Sequence, residues 1–190
     1  MSEVRKLAPE IVWNHFEDLN AVPRPSKKEE AVVAWIMDFG KKLGFETSCD
    51  DCVSPGLGNV VIKKPATAGM EDRPTVVLQS HLDMVHQKNN DTDFDFATQG
   101  IQSYIDGDWV KAKGTTLGAD NGMGVAGSMA VLSSSDIAHP AIEALFTIDE
   151  ETGMTGAKYL DNSKLGIVGK IMLNLDTEDD DELCIGCAGG

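Results

Sequence analysis

Apolar positions near the start of the chain recur at helical spacing. Val12, Phe16 and Leu19 share one face of a predicted helix that Pro23 and Pro25 bring to an end. Ser26-Lys27-Lys28-Glu29 has the form of a capping box, and the helix it opens carries Val32, Trp35, Ile36, Phe39 and Leu43 on one face before Gly44 stops it. Beyond Gly44 the pattern changes to short apolar runs. Strands are predicted at 45–48 and 59–63 around a Pro/Gly loop, then at 75–81, 109–112, 141–148 and 171–176. A polar linker occupies 65–74, and 87–107 reads as a surface excursion with an extended piece at 101–105. The Gly-, Ala- and Met-rich stretch 121–132 predicts a helix packed closely on the sheet, and a further helix is expected at 153–161. Strands alternating with helices indicate an α/β domain with a mixed, largely parallel sheet flanked by helices. No repeat or interdomain linker interrupts it.

Several of these segments end in groups that bind cations. The run Thr75-Val76-Val77-Leu78-Gln79-Ser80 closes on His81-Leu82-Asp83. Ala144-Leu145-Phe146-Thr147-Ile148 leads to Glu150-Glu151, and Ile171-Met172-Leu173-Asn174-Leu175 leads to Asp176. Asp120, in Gly118-Ala119-Asp120-Asn121-Gly122, precedes the Gly/Ala-rich helix. In α/β sheets ligands collect beyond the carboxyl ends of the strands, so these residues point to one metal site at one sheet edge. His81 and Asp83, two apart on extended chain, share a face, which lets the carboxylate orient the imidazole. Of the adjacent Glu150 and Glu151, one can bind a cation while the other, with a raised pKa, serves as general base. A mixed His/carboxylate set suits zinc, manganese or cobalt better than magnesium or calcium. Several carboxylates also suit a pair of ions about 3.5–4 Å apart, the arrangement used to hydrolyse amides.

Composition narrows the partners. A formal net charge of −15 argues against nucleic acid and anionic membrane. Part of it lies in Asp176-Thr177-Glu178-Asp179-Asp180-Asp181-Glu182, which beyond Asp176 reads as a solvated acidic loop. The start lacks the apolar core of a signal peptide, and no stretch approaches the roughly 18 apolar residues of a membrane span, so a cytoplasmic location is expected. Cys49/Cys52 and Cys184/Cys187 form two C-x-x-C pairs, but they lie far apart in sequence and are read as reduced, idle thiols. Gly122-Met123-Gly124-Val125-Ala126-Gly127 matches the dinucleotide pattern G-x-G-x-x-G, with Glu143 at about the distance of its ribose-binding acid. That reading needs a strand directly before the first glycine. A polar loop stands there, which favours close helix packing instead. His15, His86 and His139 receive no role.

With Ser80-His81-Leu82-Asp83, Gly118-Ala119-Asp120-Asn121-Gly122, Asp149-Glu150-Glu151-Thr152-Gly153 and Asn174-Leu175-Asp176 in that order, the chain resembles the two-zinc aminoacylase/dipeptidase family of metallopeptidases. Within it the likeness is greatest to the branch that cleaves aminoacyl-histidine (Xaa-His) dipeptides, β-alanyl-histidine included. Asn20-Ala21-Val22-Pro23-Arg24-Pro25-Ser26 and Gly186-Cys187-Ala188-Gly189-Gly190 carry that closer likeness. The resemblance implies that Asp120 bridges two zinc ions. His81 and Asp176 then complete the shell of one, and Glu151 binds the other. It implies that Glu150 takes a proton from the bridging water and returns it to the leaving amine, and that Asp83 supports His81. A cis Asp120–Asn121 bond is also implied, as are a small peptide substrate and a homodimer. Family members are longer. Residues 1–190 are therefore expected to be the first part of a catalytic domain, without the lid or dimerisation domain and the C-terminal remainder that supplies a final histidine ligand. Such a piece is expected to be inactive alone. An N-acyl-amino-acid deacylase or tripeptidase would share every residue named. A nucleotide-binding domain and an inactive metal-binding fragment are rivals of another class.

Overall fold

A computed structural model of the chain describes residues 2–177 and 183–185. Helices α1 (Glu10–Asn20) and α2 (Glu30–Lys42) come first, followed by strands β1 (Glu46–Cys49), β2 (Val60–Lys64) and β3 (Val76–His81). The excursion after β3 contains a hairpin, β4 (Ser103–Asp106) and β5 (Trp109–Ala112), and leads into α3 (Ala119–Ser133). Strand β6 (Ile142–Thr147), three short turns α4 (Glu150–Gly153), α5 (Thr155–Lys158) and α6 (Asn162–Leu165), and strand β7 (Ile171–Asn174) complete it. The main sheet runs β1-β2-β6-β3-β7. β1–β2 and β2–β6 pair antiparallel, whereas β6–β3 and β3–β7 pair parallel. The sheet is thus mixed, and its three parallel strands are adjacent.

Alternation along the strands sorts side chains to two faces. On one, Val60, Ile62, Ala144 and Phe146 pack with Ile36 of α2 and Met129 of α3 in a continuous core. Each large side chain fully buried there contributes about 1.5–3 kcal/mol. Helix α2 lies over β1 and β2, α3 over β3 and β6, and α1 packs on α3. The opposite face is thinner, with Val61, Val77, Leu145 and Leu165 as a small cluster of buried hydrophobic residues.

Two local expectations give way to tertiary contacts. Ser26 and Glu29 do not cap α2, whose N-terminus has no side-chain cap hydrogen bond. Ser26 Oγ instead donates to Asp83 Oδ2 at 2.8 Å, with the Met84 carbonyl 3.1 Å away as the alternative acceptor for its one proton. Glu29 Oε1 accepts from the Lys27 and Asp149 backbone N–H groups at 2.9 and 3.2 Å. A buried bond to a charged acceptor is worth more than a solvated cap. The helix expected at 153–161 breaks because Met154 turns left-handed (φ 53) and ends α4. The next N–H groups then bond back to the end of β6, Thr155 to the Asp149 carbonyl and Gly156 to that of Ile148. A β-carbon at Gly156 would lie 2.7 Å from the Ile148 backbone, so only glycine allows this approach. Cys187, the glycine motif 186–190 and the acidic residues 178–182 lie outside the described residues. Cys49 and Cys52 are free thiols, both raised in pKa chiefly by burial, Cys52 to about 11. Among the described residues no helix is long and apolar enough to cross a membrane.

Candidate metal centre

The three parallel strands bring their carboxyl ends to one edge. His81, the last residue of β3, pairs with Thr147 of β6, which places Asp149, Glu150 and Glu151 directly beyond it. Gln79 pairs with Asn174, and the Leu175 N–H donates to the Gln79 carbonyl, carrying Asp176 to the same rim. Asp120 arrives from α3, behind Gly118 in the left-handed conformation (φ 70), and the Asp120–Asn121 peptide is cis.

His81 Nε2 lies 2.9 Å from Asp120 Oδ1 and 3.8 Å from Asp176 Oδ2. One potential ligand atom from each of the three lies within 4.8 Å of the others. The His81 ring is 1% exposed and the Asp120 side chain 63%, so a fixed imidazole forms the floor and a carboxylate projects from the rim. Asp120, Asp176 and Glu150 line an open cavity of about 630 Å³.

Fully buried Asp83 ties these pieces together. Its Oδ1 lies 3.2 Å from His81 Nδ1 and accepts from the Glu150 N–H at 3.0 Å. Its Oδ2 accepts from Ser26 Oγ and, at 3.3 Å, from the Glu151 N–H. One carboxylate therefore sets both the imidazole and the backbone of the glutamate pair. Asn121 makes a second brace: its Oδ1 accepts from the His81 N–H at 3.2 Å. Its Nδ2 donates to the Leu175 carbonyl at 2.7 Å and to Asp176 Oδ1 at 3.3 Å.

Crowded acids shift one another. Burial pulls the His81 imidazole down, but Asp83, Asp120 and Asp176 outweigh it and hold the pKa at about 9. Burial pushes up the carboxyls of Glu150, Glu151 and Asp176, and the neighbouring carboxylates add to the effect. Burial also raises Asp83, yet His81, the Glu150 N–H and Ser26 reverse that and keep it ionised. In the metal-free site a protonated imidazole offsets part of the charge of these acids. Divalent cations supply positive charge, and the His/carboxylate set is chemically suited to them. Glu151 is held beside the group by Asp83 and feels the charge of Asp120. Among the described residues it joins no cluster of three potential ligands.

A second group meets the same distance criterion, formed by Glu29, Asp83 and Asp149, all buried. Its oxygens are largely occupied by the donors named above, and Asp149 accepts from the hydroxyls of Thr152 and Thr155. Sequence reasoning missed Arg24, Ser26, Glu29, Asn121 and Asp149 as parts of this site. A polar residue adjoining a ligand within its motif was the available signal at Asn121 and Asp149, whereas the first three sit in a segment whose local pattern has another meaning.

Two of the three glycines in the run are accounted for by packing, and Gly127 faces open space. A β-carbon at Gly122 would lie 2.8 Å from Arg24 Nη2, and one at Gly124 would lie 2.6 Å from Asn121 Oδ1 and 2.8 Å from the Leu175 carbonyl. The Glu143 carboxylate accepts from the Val168 and Gly169 N–H groups, so it holds a loop instead of facing a ligand. His15 and His139 have local partners, Ser133 Oγ and the Pro140 carbonyl.

Known proteins resemble the chain in sequence and fold. The chain is 48% identical over all its 190 residues to the cytosol non-specific dipeptidase of Escherichia coli (strain K12), of which it spans 38%. The structure superposes on aminoacylhistidine dipeptidase from Vibrio alginolyticus with a TM-score of 0.88 and 51% identity, covering 94% of this chain and 35% of that one. Aminopeptidase PepT from Bacillus cereus aligns with a TM-score of 0.72 and 29% identity, over 90% of this chain and 44% of the other. Residues 59–182, which include His81, Asp83, Asp120, Glu150, Glu151 and Asp176, match Peptidase family M28, and the chain belongs to that family.

Proposed function

We propose that the protein hydrolyses the amide bond of dipeptides, Xaa-His dipeptides among them, at a two-zinc centre. Asp120 is assigned as the bridging ligand, His81 and Asp176 as ligands of one ion, and Glu151 as a ligand of the other. The observation that carries this reading is the convergence of His81, Asp120 and Asp176 on one point of the sheet edge, with Glu150 on the wall of the same cavity. Bound there, divalent cations polarise a carbonyl and acidify water, which is what amide hydrolysis requires. Glu150 then serves as the base. Its raised pKa suits a carboxylate that takes a proton from water and passes it to the leaving amine. Asp83 holds the His81 ring and the Glu150 backbone and has no proton to transfer.

The dipeptide substrate follows the names of the relatives above, one non-specific and one for aminoacylhistidine. The chain spans 38% and 35% of those two proteins, so the activity is proposed for the whole protein. The test is a substrate panel on the complete protein after metal removal and zinc reloading. Expected is zinc-dependent cleavage of Xaa-His dipeptides, β-alanyl-histidine included. Preference for N-acyl amino acids or tripeptides would reassign the substrate within the family. Cleavage that survives complete metal removal would sink the mechanism.

A further inference from the structure

Arg24 is 2% exposed and has no role in the chemistry above. Its guanidinium is directed at backbone. Nη1 donates to the carbonyls of Leu82 and Asp83, both at 3.1 Å, and Nη2 donates to the carbonyl of Gly118 at 2.5 Å. Among the described residues no carboxylate lies within ion-pair distance of it. One acceptor pair directly follows His81, and the third acceptor stands two residues before Asp120. The planar fork therefore spans the two loops that carry the proposed ligands. The chain around it is shaped to admit it, since a β-carbon at Gly118 or Gly122 would collide with Nη2. Its own backbone is fixed to the same loop, the Met84 N–H donating to the Arg24 carbonyl at 3.2 Å and the Ser26 N–H to that of Met84 at 3.3 Å.

We propose that Arg24 is a positioning residue that sets the separation between the His81 loop and the Asp120 loop, and so the fit of the metal centre. Burying a guanidinium is costly, and the three carbonyl bonds of Nη1 and Nη2 offset part of that cost, while Nε is buried without a partner. A rigid planar fork fixes the spacing of the acceptors it engages on two loops, whereas the three donors of a lysine ammonium radiate from one nitrogen on a flexible stem and set that spacing less tightly. A change of a few tenths of an ångström between His81 and Asp120 alters the shell of any ion they share. Groups that orient metal ligands typically govern affinity by about 10–100-fold.

The inference rests on the metal-centre reading, and the experiment separates the two. The complete protein is stripped, loaded with Co²⁺, and examined by its visible ligand-field spectrum and by chelator competition. Circular dichroism reports folding. Arg24→Lys should fold, change the spectrum and weaken Co²⁺ binding by about 10–100-fold. Kinetics with zinc should show a lowered kcat and a nearly unchanged KM. Gly122→Ala, which presses a methyl against the guanidinium without removing it, should shift the spectrum in the same direction by less. Leu165→Ala, on the far face of the sheet, should lower thermal stability and leave the spectrum as in wild type. Folded Arg24→Lys with wild-type spectrum and affinity overturns the inference; should that variant not fold, an unchanged spectrum in Gly122→Ala does so. Wild-type protein that takes up no Co²⁺ overturns the metal centre, and this inference with it.

Discussion

Two clusters of potential metal ligands lie side by side at the carboxyl edge of the sheet, and distance alone does not distinguish them. His81, Asp120 and Asp176 form one, and Glu29, Asp83 and Asp149 the other. In the first, Asp120 and Asp176 line a cavity and are largely and partly exposed, beside a buried His81. In the second, every member is buried, and its oxygens accept from Lys27, Asp149, Glu150 and Glu151 N–H groups and from Ser26, Thr152 and Thr155 hydroxyls. Carboxylates that already accept from fixed donors have fewer lone pairs to offer a cation. The contrast assigns chemistry to the open group and support to the closed one, with Asp83 as the joint between them.

That division can be broken by experiment on the complete protein. The largest effect is expected from Glu150→Gln, which should lower kcat by about 10²–10⁴ while the metal content stays at the wild-type level. Loss of the ions in that variant would move Glu150 from base to ligand. Next comes Asn121→Ala, which frees both the His81 backbone and Asp176. Metal affinity should fall by about 10–100-fold in chelator competition, and unchanged affinity would dismiss the brace. Asp149→Ala should behave oppositely. Metal binding should survive, while denaturant unfolding shows a loss of about 1–3 kcal/mol from orphaned hydroxyls and backbone donors.

The smallest effect is a pH dependence. Burial holds Glu29 at about 7 against an ordinary value of 4.5. Between those values the native chain keeps a proton that the unfolded chain has released, so the Glu29 contribution to stability falls as pH rises and levels off above about 7. Glu29→Gln keeps an amide oxygen for Lys27 and Asp149 and removes the charge. Its stability relative to wild type should therefore increase from pH 4.5 to 7, measured by urea unfolding. A constant difference across that range would remove Glu29 from the buried group. His81 gives a companion signature. Its metal-free pKa near 9 means that binding an ion expels a proton, so metal affinity should climb with pH up to about 9.

The fold was largely legible in the pattern of apolar positions. β3 and β6 are short, dense apolar runs, and α1 and α2 show a clear apolar stripe, because burial on one or two faces leaves a period in the sequence. The helix expected at 153–161 was not legible as three turns, since its break depends on Ile148 and Asp149 accepting bonds from Thr155 and Gly156. Ser26 and Glu29 misled for a related reason. Their spacing is that of a helix cap, and nothing local announces that Asp83 and Asp149 are closer competitors.

By itself the sequence determined that strands end in His81 and in the stretches holding Glu150, Glu151 and Asp176, because polar groups that interrupt an apolar run need only be read in order. It also determined that Asp120 stands at the head of a helix of small residues. Only the tertiary structure decided which acids remain open and which are closed, and why Gly122 and Gly124 lack side chains. Those outcomes depend on donors from segments remote in the chain, Arg24 and Ser26 against Asp83 and Gly118, and Asn121 against Leu175. A hydrogen bond is a property of a pair in space, and no period along one segment records its partner.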